Sequence, residues 1–316
     1  MRMPCFPQRQ RGAALIIAMV IVAIAVILTT QLTWKTHLEQ RRVENQLYGG
    51  QAIAYAIGAE DWAREILIRD DAAVDHLGED WAAQDARFPI EGGTLIGSIS
   101  DLQGRFNLNN LYDESLPADD PEAVREPIKQ ALADLFALEG NVGDAAIAAQ
   151  DWQDRDIDPA GIGGAEDSAY SREVPPYLAP NTEFFSPSEL QSVAGMTPEA
   201  WQALRAHVAA LPADATRVNI NTATAPVILA LGQNLTETDV QAILQYREQG
   251  GIEELNELES LLGPDKSLPA ERFGVTSSWF LLTVRAEIGS SAVTMYSLLH
   301  RDADTVRTVA RTLGTW

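Results

Sequence analysis

Sulfur and positive charge are what this sequence has least of. Its single cysteine in 316 residues, Cys5, lies in a short basic leader. Once that leader is removed no disulfide is possible, and stability must come from packing or a bound metal. Lysine and arginine number 23 against 45 aspartates and glutamates, a net charge of −22. Three of the arginines, Arg2, Arg9 and Arg11, precede position 13, so the rest of the chain is more acidic still. A body of that charge repels phosphate backbones and anionic lipid and favours divalent cations or basic partners. The histidines, His37, His76, His207 and His300, are scattered, with no HExxH, no GxSxG and no thiol nucleophile in the mature chain. A pair of glycosidase-like carboxylates far apart in the chain is invisible to sequence. Trp62, Trp81, Trp152, Trp201 and Trp279 nonetheless read as core or rim aromatics rather than a sugar platform, and no enzyme is expected.

Apolar residues are not scarce: they make up 46% of the chain, enough for one or two cores. From Ala13 to Thr30 the sequence AALIIAMVIVAIAVILTT carries no charge. As a helix it covers about 27 Å and nearly spans a bilayer core. Arg9 and Arg11 flank it on one side and the acidic body on the other, which places the N-terminus in the cytoplasm and the body outside. A secretory signal peptide is the alternative, but no small-x-small cleavage site follows Thr30. The junction Arg11-Gly12-Ala13-Ala14-Leu15 sets a basic residue and a glycine directly against the apolar run. It resembles the type IV prepilin processing site, where a prepilin peptidase in the membrane cuts after the glycine and methylates the new N-terminus. Gly12 and Ala13 would flank the cut. The superfamily usually carries Glu at the fifth mature position; here Ile17 stands there.

Residues 35–70 lack proline and set Leu38, Val43, Leu47, Ala54 and Ile57 among charges. This predicts an amphipathic continuation of the anchor to about Arg69, loosened near Gly49-Gly50. Leu95, Ile96, Ile99 and Leu102, then Phe106, Leu108 and Leu111, mark two short strands with Gly104 at the turn, a hairpin. Alternation returns at the end of the chain. Phe280, Leu282, Val284 and Ala286 mark one strand, Val293, Met295, Ser297 and Leu299 the next, and Val306, Val309 and Arg311 a third. Turns fall at Gly289-Ser290-Ser291 and Asp302-Ala303-Asp304. The expectation is an α+β fold: one antiparallel sheet packed on the long helix and interrupted by an all-α insertion. Its divisions are a leader (1–12), the long helix (13–70), first strands (71–111), the insertion (112–276) and closing strands (277–316). Helix starts are read at Ser186-Pro187-Ser188-Glu189, Thr197-Pro198-Glu199 and Asn256-Glu257-Leu258-Glu259. The two longer helices are expected over Pro198–Leu211 and Glu237–Gln249, in a weak repeat of helical hairpins.

Two motifs in the insertion could carry chemistry. Asp151, Asp154, Asp156 and Asp158 precede a loop with Gly161, Gly163 and Gly164, then Glu166 and Asp167. The alternation of Asp154, Asp156 and Asp158 matches the first three ligands of an EF-hand loop, although Pro159 replaces the required glycine and Glu166 falls one residue late. Hard oxygen ligands on a glycine-rich loop suit calcium; a solvated acidic loop is the alternative. The second motif, Val218 to Gly251, resembles a helix-hairpin-helix repeat, which would make the chain a membrane-anchored DNA receptor. Leu231-Gly232-Gln233-Asn234 lacks the glycine-x-glycine turn, and Arg247 is the only cation between Arg217 and Lys266. A protein-packing hairpin is the preferred reading, with no nucleic-acid partner.

DLQGRFNLNNL, containing Arg105, Phe106, Asn107, Leu108, Asn109 and Asn110, resembles the strand motif of the K-type minor pseudopilins of type II secretion. DWQDRDIDPAG, GGAEDSAY, PPY and VNINTATAP follow in that family's order. The resemblance implies a pilin fold with a large inserted α-domain that binds calcium, and a missing acid at Ile17 is a habit of the K type. It implies a subunit of the bacterial inner membrane with a periplasmic head, at the tip of the pseudopilus with two smaller minor pseudopilins. Priming and capping of that fibre, contact with the inner-membrane assembly platform, the secreted proteins and the outer-membrane channel belong to the same implication.

Overall fold

The structure, a computed structural model, describes residues 11–112, 121–212, 216–303 and 305–314; Cys5 and nearly all of the expected leader lie outside them. Helix α1 (Arg11–Arg69) is continuous over 59 residues, roughly 88 Å. Its apolar N-terminal part is exposed throughout and is the one described helix long and apolar enough to cross a membrane. There is no break at Gly49-Gly50, where helical bonding continues. Glycine costs a helix about 1 kcal/mol, a penalty that packing of the flanking turns readily offsets. Tyr48, Ala52, Ala56, Ala59, Ala63 and Leu67, spaced three or four apart, form the face that meets the sheet. Alanines dominate it, and small side chains let the helix lie close to the strands. Val43, Leu47, Ala54 and Ile57 instead point away from the sheet, with Leu47 60% exposed. The expected amphipathic stripe is real, but it is not the face that covers the protein's own core.

The sheet runs β1 (Ala86–Ile90), β2 (Gly93–Asp101), β7 (Trp279–Ile288), β8 (Ser291–Asp302) and β9 (Thr305–Leu313) in spatial order, antiparallel throughout. The three closing strands and both of their turns lie where alternation put them. Phe280, Leu282, Val284 and Ala286 are buried against α1. In β9 the face changes: a bulge opposite Leu298/Leu299 leaves Val309 exposed and turns Arg311 toward the helix. There Glu60, 3% exposed, accepts hydrogen bonds from Ser297 Oγ (2.6 Å), Thr308 Oγ1 (2.6 Å) and Arg311 Nε (2.8 Å) and Nη2 (2.7 Å).

The expected hairpin over 95–111 is not formed. β2 pairs with β1 across Glu91-Gly92, with Gly92 at φ +78°. After Gly104 the chain leaves the sheet, and β3 (Phe106–Asn107) pairs in parallel with β4 (Val208–Ala209). A side chain at Gly104 would meet the Thr222 carbonyl at 2.7 Å, so the glycine serves a close backbone approach between the two units. Phe106, Leu108 and Leu111 are buried in the second core.

That core belongs to the insertion, whose longer elements are α2 (Pro121–Leu135), α3 (Ala145–Asp151), α4 (Asp167–Tyr170), α5 (Pro198–Leu204), α6 (Ala225–Leu231), α7 (Glu237–Arg247) and α8 (Glu259–Leu262). β5 (Val218–Asn219) pairs in parallel with β6 (Phe273–Gly274). Two of the three read caps are present: Thr197 caps α5, and Ser186 and Glu189 form a capping box, though over one 3-10 segment, Pro187–Ser192. Near Asn256 the cap is Glu254, paired with Glu257, and Asn256 itself lies inside the 3-10 turn Leu255–Leu258. α5 ends at Leu204 rather than Leu211 because the chain must return as β4, and α7 ends two residues early, at Arg247.

A buried polar network joins the two cores. Arg301 donates to Asp70 (3.0 Å) and to Asp75 Oδ2 (2.6 Å), and Asp75 also accepts from Ser277 N (2.7 Å). Asp101 accepts from Ser277 Oγ (2.6 Å), Thr222 Oγ1 (2.5 Å) and Asn219 Nδ2 (3.2 Å).

Candidate metal centre

Helix α3 is an alanine-rich turn whose Ala145, Ala146, Ala148 and Ala149 are buried, and this carries its last residue, Asp151, into the interior at 0% exposure. Asp151 accepts from Ala160 N (3.1 Å) and Ala165 N (2.7 Å), folding the intervening loop back onto the helix end. A Cβ at Gly164 would lie 2.5 Å from Asp151 Oδ2, so the tight return requires glycine there. The return delivers Glu166, just before α4, to the same point. Asp151, Asp154 and Glu166 each place a carboxylate oxygen within 4.8 Å of the other two.

These acids are poorly served by the protein. Asp154 Oδ1, both Glu166 oxygens and Asn181 Oδ1 are buried with no hydrogen-bond donor. Each such orphan costs about 1–3 kcal/mol, more when charged. Burial, then the charges of Asp154, Asp151, Asp156 and Asp167, push the Glu166 carboxyl up to about 7. Burial, followed by Asp156 and Asp151, pushes Asp154 up to about 6. Burial raises Asp151 too, against the pull of the Ala160 and Ala165 amides. A convergent set of unmatched hard oxygens, without histidine or cysteine, fits a calcium-like cation.

The six acids singled out in the sequence divide. Asp151, Asp154 and Glu166 converge. Asp156 is exposed and accepts from Asp158 N (2.8 Å), contributing charge to the cluster from its edge. Asp158 is exposed, and Asp167 is occupied by Ala179 N (3.1 Å); neither joins the three. The EF-hand alternation therefore brings in one ligand of its three, and Asp151, outside the alternation, is the anchor. Asn181, which the sequence reading did not single out, donates its Nδ2 to the Asp156 carbonyl (3.1 Å) and has a buried, unmatched Oδ1.

A second acidic group, Asp70, Asp75 and Glu79, already has protein partners. Arg301 pairs with the two aspartates, and Trp81 Nε1 donates to Glu79 (2.6 Å). In the helix-hairpin-helix-like segment, Arg247 turns inward to the carbonyls of Ile220 (3.0 Å) and Ala223 (2.6 Å). The Gly232 and Gln233 amides donate to Ile228 O (2.9 Å) and Ser267 O (3.0 Å), so neither is free for a phosphate.

An apolar anchor helix that continues into a head, lies across an antiparallel sheet and carries a helical unit inserted between β2 and β7 defines a pilin-like subunit. The profile of the family described as type II secretion system (T2SS), protein K, matches residues 104–213 and 218–276. Type II secretion system protein K of Aeromonas hydrophila is 34% identical over 97% of this chain and 98% of its own length. The Pseudomonas aeruginosa protein of that name is 32% identical over 96% and 93%. Among solved structures, a chain of the GspK-GspI-GspJ complex from the enterotoxigenic Escherichia coli type 2 secretion system superposes with a TM-score of 0.74. It is 25% identical, over 87% of this chain and 100% of that one. The chain belongs to the type II secretion system protein K family and is a minor pseudopilin, as the sequence resemblance implied. These relatives are named for their place in a secretion system, none for a reaction.

Proposed function

We propose that this protein sits at the tip of the pseudopilus, bound to two smaller minor pseudopilins, primes fibre assembly and so supports export of folded proteins across the outer membrane. The observation that carries this is the likeness to the whole of a chain solved in a GspK-GspI-GspJ complex. The insertion supports a terminal position, because its bulk would obstruct a further turn of subunits above the head. Ile17 supports it too. A carboxylate within the bilayer costs roughly 2.5–3.5 kcal/mol unless paired, and a first subunit without one needs no partner above it. In this reading the prepilin peptidase cuts between Gly12 and Ala13, α1 anchors the chain in the inner membrane with its N-terminus cytoplasmic, and the head is periplasmic. Calcium is held by Asp151, Asp154 and Glu166 and offsets the mutual repulsion of these carboxylates.

Engineered cysteines along the outer face of α1 test the position. Crosslinking in cells is expected to capture the two smaller minor pseudopilins and about one copy per fibre. Regular incorporation along the shaft, or a normal tip without this subunit, overturns the proposal.

A further inference from the structure

Between α1 and the β1–β2 hairpin lies a cavity of about 730 Å³, within the range of ligand pockets. Small side chains create it: Ala59 and Ala63 on the helix, Ala86 and Gly97 on the strands. Gly97 stands in register with Ala86 and Val284, between Leu95 and Ile99, which are buried on the helix side of β2. A Cβ at Gly97 would meet nothing within 4 Å. An open cleft between helix and sheet leaves its apolar lining in contact with water, and one larger side chain at this position would cover it. The sequence leaves the space open.

Its lining has a definite chemistry. Ile66, Phe88 and Leu282 make the floor apolar. Trp62, 48% exposed, stands edge-to-face to Phe88 (centroids 4.6 Å, 76°) and offers a ring to a cation. The rim carries Asp71 and Asp80, with Asp70 paired to Arg301 and Glu79 bonded to Trp81, and its one cation, Arg69, is tied to Glu65 (2.7 Å). Asp71 and Asp80 are exposed. An apolar anion is repelled by that rim, and a bare cation gains nothing from the floor. A lipid tail is out of reach, because Ala59 lies roughly 44 Å along the helix from Thr30, the end of the uncharged run.

We propose that this cleft binds a polypeptide segment of another protein in which one bulky apolar side chain is flanked by lysine or arginine. The apolar side chain fills the space over Gly97, and its basic neighbours meet Asp71, Asp80 and the Trp62 ring.

The test uses the full chain in lipid nanodiscs and a fluorescent octapeptide with tryptophan between two arginines, compared with the same peptide carrying glutamates. The arginine peptide is expected to bind saturably and to weaken with salt, and the glutamate peptide not to bind. Gly97→Leu is expected to weaken binding by about tenfold or more, with a melting temperature at or above that of the wild type. Asp71→Asn with Asp80→Asn, two exposed sites that leave the core untouched, is expected to weaken binding and flatten its salt dependence. Absence of saturable binding, equal binding of both peptides, or unchanged affinity in the aspartate variant overturns the proposal. The aspartate variant decides if Gly97→Leu fails to fold.

Discussion

Glu166 holds its proton up to about pH 7 because burial, and then the charges of Asp154, Asp151, Asp156 and Asp167, oppose its ionisation. Its carboxyl and that of Asp154, pushed to about 7 and about 6, lie above their unfolded values near 4, so the metal-free fold holds protons that the unfolded chain has released. Its stability therefore falls as pH rises from about 4 to 7. Calcium replaces those protons, so its stabilising effect should be larger at pH 7.5 than at pH 5. At a hundredfold excess over Kd it amounts to roughly 2.7 kcal/mol. Thermal melts with calcium and with chelator at the two pH values check this, and Asp154→Ala with Glu166→Ala should erase the difference. Identical melts throughout would dispose of the site. Glu60 behaves in the opposite sense. Burial works to raise its pKa, but the hydrogen bonds of Arg311, Ser297 and Thr308 prevail and hold it at about 2. The stability it confers is present above about pH 4.5 and is lost as pH falls toward 2. Arg311→Ala should cost about 3 kcal/mol, because it leaves the buried Glu60 carboxylate with only its two hydroxyl donors. Glu60→Ala should cost less in the same denaturant titration, because the Arg311 it frees is partly exposed and regains water.

In α1 the long-range organisation was readable but the choice of face was not. A 3.6-residue period identifies Val43, Leu47, Ala54 and Ile57 as one stripe. It cannot reveal that a second stripe of alanines, half a turn away, meets the sheet, because alanine gives a weak apolar signal and packs by closeness. The two faces should separate experimentally. Ala56→Leu, on the inner face, should overpack the core and lower stability by about 1–3 kcal/mol. Leu47→Asp, on the exposed stripe, should leave the melting temperature unchanged while reducing recovery of the protein with its neighbours from membranes. A lowered melting temperature for Leu47→Asp would count against the assignment of faces. The closing strands were legible because their alternation is strong and their turns are local. β1 alternates, but over five residues broken by Pro89, and the β3–β4 pair joins segments a hundred residues apart, so the segment after Gly104 read as the second arm of a hairpin. The metal centre was legible as a stretch of six acids, but which three converge is decided by the loop that the Ala160 and Ala165 amides fold back onto Asp151.

Across the molecule, Asn219 and Thr222 of the insertion bond to Asp101 and Ser277, and Ser277 reaches Arg301 of the sheet through Asp75, so the two units are tied by largely buried polar groups. Removing one partner of a buried ion pair costs about 3–5 kcal/mol. Arg301→Ala should therefore lower stability and also split unfolding into two calorimetric transitions, with calcium shifting only that of the insertion. A single transition that moves as a whole would show that the apolar contacts alone couple the units. The neighbouring strands β2 and β7 have a temporal consequence. Their pairing must wait for the chain to pass Ile288, and β7, β8 and β9 supply three of the five strands of the sheet. During synthesis the insertion can fold while the inner face of α1 is still without most of its cover. The head becomes complete only as the last residues arrive, and a prematurely ended chain presents its membrane anchor without a finished surface for assembly.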